Sequence, residues 1–516
     1  MTRMGRTAGV LFGGVALTAA FLVQGPAQAA PRQPERPQSP ATAPVTTAAQ
    51  KISWRKCPDD RTVQCGTLTV PIDWSNPKRG SVKLAVARAK ATDPKKRIGV
   101  LLVNPGGPGG SGVDFALDRA GLSKQVRQRY DIVGFDPRGT GGSRAVKCGK
   151  VGKAPRAYPR NQAEFDKLKK YQAALYKACR AKTGTLYDFL GAGSVARDMD
   201  AIRAALGAKK VSFYGVSYGT WLGQRYAELF PTRLRGLALD GAMDHTVNTA
   251  ARFSVDEARG LEAAYGQFAR WCRTSKHCAL RGKDAVKVLD GLMARADKGT
   301  LHEIGDPKER LEATDLAQMV RASSYDPISW AQLGEELREL SRQKVRRIRT
   351  GTAEAVAADG RFAGILCADW SFPIRDHRAL AAVRAETRRA APHLRLNPLG
   401  WEAITACLGR PAATDPQRPY RVRNAPPSLV VNAVADPVTV YPWAVSTTLR
   451  IPRTSLLTYR GAGHGAYTLS PCSRKAVDAY LLSGKTPRLG ATCPAVAPDF
   501  TEARGSSRGP AKPRRF

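Results

Sequence analysis

The chain is poor in metal-binding chemistry for its length. Its six histidines are scattered through 516 residues, and its ten cysteines never form a Cys-x-x-Cys pair, so a zinc site has no spacing to rest on. The glycine-rich stretch at 104–112 lacks the Gly-Lys-Ser/Thr ending of a phosphate-binding loop, and its spacing does not suit a dinucleotide fingerprint. Acidic residues are scarce, 43 Asp plus Glu against 82 Lys plus Arg, for a formal charge of +39. The basic excess is spread along the chain without a nucleic-acid motif. It reads as a solvated arginine-rich surface with, at most, weak association with anionic cell wall, and with no nucleic-acid partner. After the first residues, no apolar run is long enough to span a bilayer.

What is present begins with a leader. Arg3 and Arg6 precede an uncharged apolar run over residues 8–23, and Ala27-Gln28-Ala29 has the small-x-small pattern of a signal-peptidase site. Residues 1–29 are therefore expected to be a signal peptide, and 30–50, rich in Pro, Ala, Thr and Gln, a flexible linker. Export makes an even number of cysteines a disulfide set. Of about 945 connectivities, the sequential one is expected: Cys57–Cys65, Cys148–Cys179, Cys272–Cys278, Cys367–Cys407 and Cys472–Cys493.

The periodicity predicts an α/β protein. Residues 67–72 and 82–88 alternate as a half-buried antiparallel pair, and 98–103 is continuously apolar, as a strand covered on both faces would be. Further strands are expected at 130–135, 210–214 and 234–239, with helices at 195–206 and 220–230 between and after them. Strands alternating with helices imply a mostly parallel sheet. From 245 to 424 the rhythm stops. That stretch is helical in pattern, at 250–271, 284–296, 311–321 and 330–349, with no convincing strand series. Strands resume at 428–434 and 454–459. A helical cap inserted before the last strands is expected, dividing a core into residues 51–244 and 425–498, with a basic tail over 499–516.

Chemistry gathers where strands end. Gly215-Val216-Ser217-Tyr218-Gly219 lies between a strand and a helix, the setting of a nucleophile elbow, in which a serine is held clear of the sheet and the next N–H faces an oxyanion. Serine needs a base, and the base an orienting acid. Asp436 and His464 each follow one of the last two strands, at the end where parallel sheets place their sites. Asp240 also ends a strand, with Asp244 close by, and is the rival acid. Asn104-Pro105-Gly106-Gly107 can bring bare N–H groups to an anion. Asp136 and Arg138 are placed to pair and brace the loop at 136–143.

Taken together, residues 104–112, 136–143 and 215–219, Asp436-Pro437-Val438-Thr439 and Gly463-His464-Gly465 resemble the secreted tripeptidyl aminopeptidase family of actinomycetes, relatives of the proline iminopeptidases among the α/β-hydrolases. The resemblance covers about residues 51–498. It implies Ser217 as nucleophile, His464 as base, Asp436 as orienter, an oxyanion hole from the N–H groups of Gly107 and Tyr218, and no cofactor. Val440 departs from relatives, which often carry proline there. An exopeptidase must meet a buried α-ammonium group with an acid, and from the cap Glu262 and Asp369 are the candidates. A carboxylesterase or lipase of the same fold is the alternative.

Overall fold

The computed structural model describes residues 51–343, 360–498 and 500. The expected leader and linker, all of the tail except Phe500, and the end of the helix expected to reach residue 349 lie outside them. The strands are β1 (Arg55–Lys56), β2 (Gln64–Pro71), β3 (Ser81–Ala89), β4 (Gly99–Asn104), β5 (Tyr130–Phe135), β6 (Val211–Val216), β7 (Leu234–Asp240), β8 (His302–Glu303), β9 (Asp306–Arg310), β10 (Ser428–Ala435), β11 (Thr454–Ala462) and β12 (Thr492–Cys493).

Ten of these form one sheet in the order β1-β2-β3-β5-β4-β6-β7-β10-β11-β12. The pairs β1/β2, β2/β3 and β3/β5 are antiparallel. Every later pair is parallel. The continuous apolarity of β4 has a direct cause: Val100 and Leu102 pack on one face with Phe213 and Trp221, while Leu101 and Val103 pack on the other with Tyr130 and Tyr214. The strand order turns back at β4, which has β5 on one side and β6 on the other, and such a switch point opens a crevice at the carboxyl ends of the strands. Asn104 and Ser217 stand at that crevice.

The inserted stretch is helical, as Ala250–Thr274, Ala285–Asp297, Ala313–Ser323, Trp330–Arg342, Gly360–Asp369, His377–Ala390 and Pro398–Thr405. It also holds the small β8–β9 hairpin, which the helical reading of this stretch did not include. Packing divides it. Leu261, Phe268, Leu289, Leu333 and Leu337 build a core of their own, whereas Ile365, Trp370, Trp401 and Tyr420 join the core beneath the sheet. Several helices escaped the sequence reading, the longest being Gln162–Thr183, with Phe165, Leu168 and Leu175 buried. Five disulfides join Cys57–Cys65, Cys148–Cys179, Cys272–Cys278, Cys367–Cys407 and Cys472–Cys493. No helix among the described residues is long and apolar enough to cross a membrane.

Candidate active site

Ser217 occupies the single residue between β6 and the helix Tyr218–Leu229, at φ 58° and ψ −131°. A non-glycine residue held there is strained, and the strain lifts the side chain out of both elements. The surroundings are glycine by necessity. A Cβ on Gly219 would lie 2.6 Å from the Asn104 carbonyl oxygen, and one on Gly106 would lie 2.4 Å from the Val216 carbonyl oxygen and 2.9 Å from the Ser217 Cβ. The loop after β4 is thus pressed against the serine turn. Its first N–H is used internally, since Gly106 donates to Asn104 Oδ1 at 2.9 Å. The N–H groups of Gly107 and Tyr218 are engaged by no other group among the described residues.

The carboxyl ends of β10 and β11 bring Asp436 and His464 together. Nδ1 of His464 lies 2.9 Å from Asp436 Oδ2 and 3.1 Å from Oδ1. The carboxylate also accepts the N–H groups of Val438 and Thr439, at 3.0 and 2.8 Å, and the Thr439 hydroxyl at 2.9 Å. These donors fix its plane. With Nδ1 turned to the acid, Nε2 is the basic nitrogen. Burial works to lower the pKa of His464, but the Asp436 carboxylate outweighs it and the net shift is upward. The main-chain N–H of His464 donates to the Tyr325 carbonyl at 2.8 Å, and the Tyr325 ring meets the imidazole edge-on at 5.4 Å. The inserted helices therefore grip the base loop directly.

Asp240, the rival acid, does not touch the imidazole. Its carboxylate accepts the N–H groups of Ala466 and Tyr467 at 2.8 and 2.9 Å and the Tyr214 hydroxyl at 3.2 Å. Burial raises its pKa to about 6. Asp244 binds Thr246 instead. Nor do Asp136 and Arg138 pair. Arg138 meets Asp198 in a fully buried ion pair, Nη2 to Oδ1 2.6 Å. Asp136 accepts from Ser111 Oγ at 2.6 Å and from Gly142 N at 2.8 Å, bracing the loop after β4.

Both carboxylates expected to meet a substrate amine already accept donors of the protein itself. Glu262 accepts the main-chain N–H groups of His393 and Leu394 at 3.2 and 3.1 Å and faces an outer groove shared with Arg259, Arg270 and Val434. Asp369 is wholly buried. It accepts the Tyr218 hydroxyl, the Trp221 indole N–H at 3.2 Å and the Ala192 N–H at 2.9 Å. A buried acid that the sequence reading did not single out is Glu257, on the same helix as Glu262. It is 3% exposed, and its Oε2 has no hydrogen-bond partner among the described residues. Burial drives its pKa well up, Arg321 pulls the other way and Asp436 adds to the rise. Three residues on, Gly260 packs so closely on the acid loop that a Cβ there would lie 2.7 Å from the Asp436 carbonyl oxygen. That glycine was the one sequence signal that this turn of the helix approaches the site.

Residues 396–493, which carry Asp436 and His464, match the family described as "TAP-like protein". Over 488 aligned residues the chain is 30% identical to the tripeptidyl aminopeptidase of Streptomyces lividans, covering 88% of each chain. It is 31% identical to serine protease Hip1 of Mycobacterium tuberculosis, over 86% of this chain and 91% of that one. A third relative, also 31% identical and covering 94% of this chain and 96% of its own, is carboxylesterase B of M. tuberculosis. With this sheet, this elbow and relatives of this extent, the chain belongs to the tripeptidyl aminopeptidase family of α/β-hydrolases and is a serine hydrolase of the aminopeptidase type.

Proposed function

We propose that the protein is a secreted exopeptidase that releases short peptides, tripeptides by its likeness to the Streptomyces enzyme, from free N-termini. The observation that carries the reading is the hydrogen-bonded His464–Asp436 pair, with the strained Ser217 tied through Asp240 to the residues just after His464. Ser217 is the nucleophile: its Oγ adds to the scissile carbonyl as Nε2 of His464 takes its proton. The oxyanion is met by the N–H groups of Gly107 and Tyr218. The C–N bond then breaks, the amine leaves with the proton from His464, and water repeats the sequence on the acyl-enzyme.

Glu257 is the acid for the substrate α-ammonium group. A buried carboxylate oxygen without a donor is costly, and a cationic ligand beside it would remove that cost. The restriction to N-termini then follows from charge. Five disulfides and the leader-like first 29 residues support export. The likeness to a carboxylesterase keeps an ester-cleaving activity as the second reading.

The test compares chromogenic tripeptide amides with free and acetylated N-termini against simple acyl esters. Cleavage of the free peptide alone is expected. Equal cleavage of free and blocked peptides would overturn the exopeptidase reading, and turnover of esters alone would establish the second one.

A further inference from the structure

Asp369 ends the helix Gly360–Asp369 and lies beneath the serine turn rather than in the cleft. Two side chains of the elbow helix converge on its Oδ2, the Tyr218 phenol and, one turn on, the Trp221 indole at 3.2 Å. Its Oδ1 takes the Ala192 N–H at the start of the helix Ala192–Ala205. The residue is held from its other sides as well. Its carbonyl oxygen meets His245 Nε2 at 2.6 Å, the preceding Ala368 carbonyl accepts the Asp415 N–H at 2.9 Å, and the Cys367–Cys407 disulfide lies two residues away. Arg225, a cation whose charge acts on Asp369, is bound to Asp415 at 2.8 Å. Such a site asks for three acceptor positions at once, which a carboxylate has and an amide does not.

We propose that Asp369 is a positioning residue for the oxyanion hole. By holding the phenol of Tyr218 it sets where the Tyr218 N–H stands relative to the carbonyl under attack. The inference rests on Ser217 as nucleophile and Tyr218 as oxyanion donor. A proton on Asp369 would act at the same point. Burial, reinforced by Asp415, raises its pKa to about 7. A protonated carboxyl among three donors needs one of them to turn and accept. The indole and the main-chain N–H have no lone pair to offer, so the Tyr218 hydroxyl alone can reverse. Protonation of Asp369 is therefore felt at the oxyanion residue, while His245, buried and with its pKa lowered to about 3, stays neutral.

The experiment makes Asp369→Asn, Tyr218→Phe and the double variant in the full chain. It measures kcat and KM with a tripeptide anilide from pH 5 to 9, the inhibition constants of a tripeptide aldehyde and of the free tripeptide, and labelling of Ser217 by a fluorophosphonate. Losing one oxyanion donor outright costs about 10²–10³ in kcat, so a displaced one is expected to cost about tenfold. KM should stay within twofold, aldehyde binding should weaken in step with kcat, and tripeptide binding should not change. The double variant should be no slower than the worse single one, and Asp369→Asn should make the acid limb of kcat less steep. Unchanged kcat in Tyr218→Phe overturns the proposal even where Asp369→Asn does not fold, as do losses that multiply in the double variant. Wild-type protein that resists the fluorophosphonate refutes the underlying assignment of Ser217. Normal labelling with unaffected variants refutes only the role of Asp369.

Discussion

The main-chain carbonyl of Asp240 accepts the N–H of Ser217 at 2.9 Å, while the carboxylate of the same residue takes the N–H groups of Ala466 and Tyr467 just after His464. One residue thus ties the nucleophile turn to the base loop without touching the imidazole. Exchanging the acids separates the two roles. Asp436→Asn should lower kcat by about 10⁴, because an amide holds the wrong tautomer of His464. Asp240→Asn should act chiefly on stability, by about 1–3 kcal/mol, since it points a donor at buried donors. Thermal unfolding and kcat measured on both variants check this, and reversed results would move the acid to β7.

Ser217→Ala should fold and lose turnover by about 10⁶, by analogy with other serine hydrolases. The elbow requires a small side chain there, and alanine supplies one. A Ser217→Ala protein with a tenth of the original rate would remove Ser217 from the mechanism.

Glu257→Gln should raise KM for free tripeptide amides about ten- to a hundredfold, the value of a hydrogen bond to a charged group, with kcat on a simple ester left alone. Replacing a buried carboxylate whose Oε2 lacks a donor should not destabilise the fold. Loss of ester and peptide turnover in equal measure would show that Glu257 supports the triad rather than the substrate.

The pH profile carries a sign that can be worked out. His464 accepts a proton only when neutral, and its pKa is raised because the Asp436 charge outweighs burial. Activity should therefore fall as pH drops through a value above the ordinary 6.5 of histidine. In Asp436→Asn the larger raising charge is gone and burial is opposed only by the weaker pull of Asp240, so the acid limb of the residual kcat/KM should move down. A limb that stays in place would show that another group titrates.

Reduction should destabilise the protein, by about 2–5 kcal/mol for each bridge lost. Cys472 and Cys493 join the helix Pro471–Ser483 to β12, beside the loop that carries His464. The Cys472→Ser, Cys493→Ser pair should unfold at lower temperature and lose activity before it unfolds. Activity that persists up to the melting temperature would show that this bridge serves stability only.

The sequence by itself determined the elements on which the chemistry stands. Each of Ser217, Asp436 and His464 follows a short run, bounded by turn residues, that reads as a strand, and strand pattern is a local property that needs no partner to be read. The glycines at 106 and 219 announced close backbone approach for the same reason. The choice among equals needed the tertiary structure. Asp240 and Asp436 both end strands, but Asp240 stands in register with Val431, while β10 runs on to Ala435, which pairs with Ala462 of β11, so Asp436 is the one that reaches an imidazole delivered by β11. Glu257 and Glu262 lie on one helix, and rotation about its axis buries one against Gly400 and puts the other on a groove. Arg138 lies two residues from Asp136 yet pairs with Asp198, 60 residues away. A charge finds its partner through space, and distance along the chain says little about distance across a packed core.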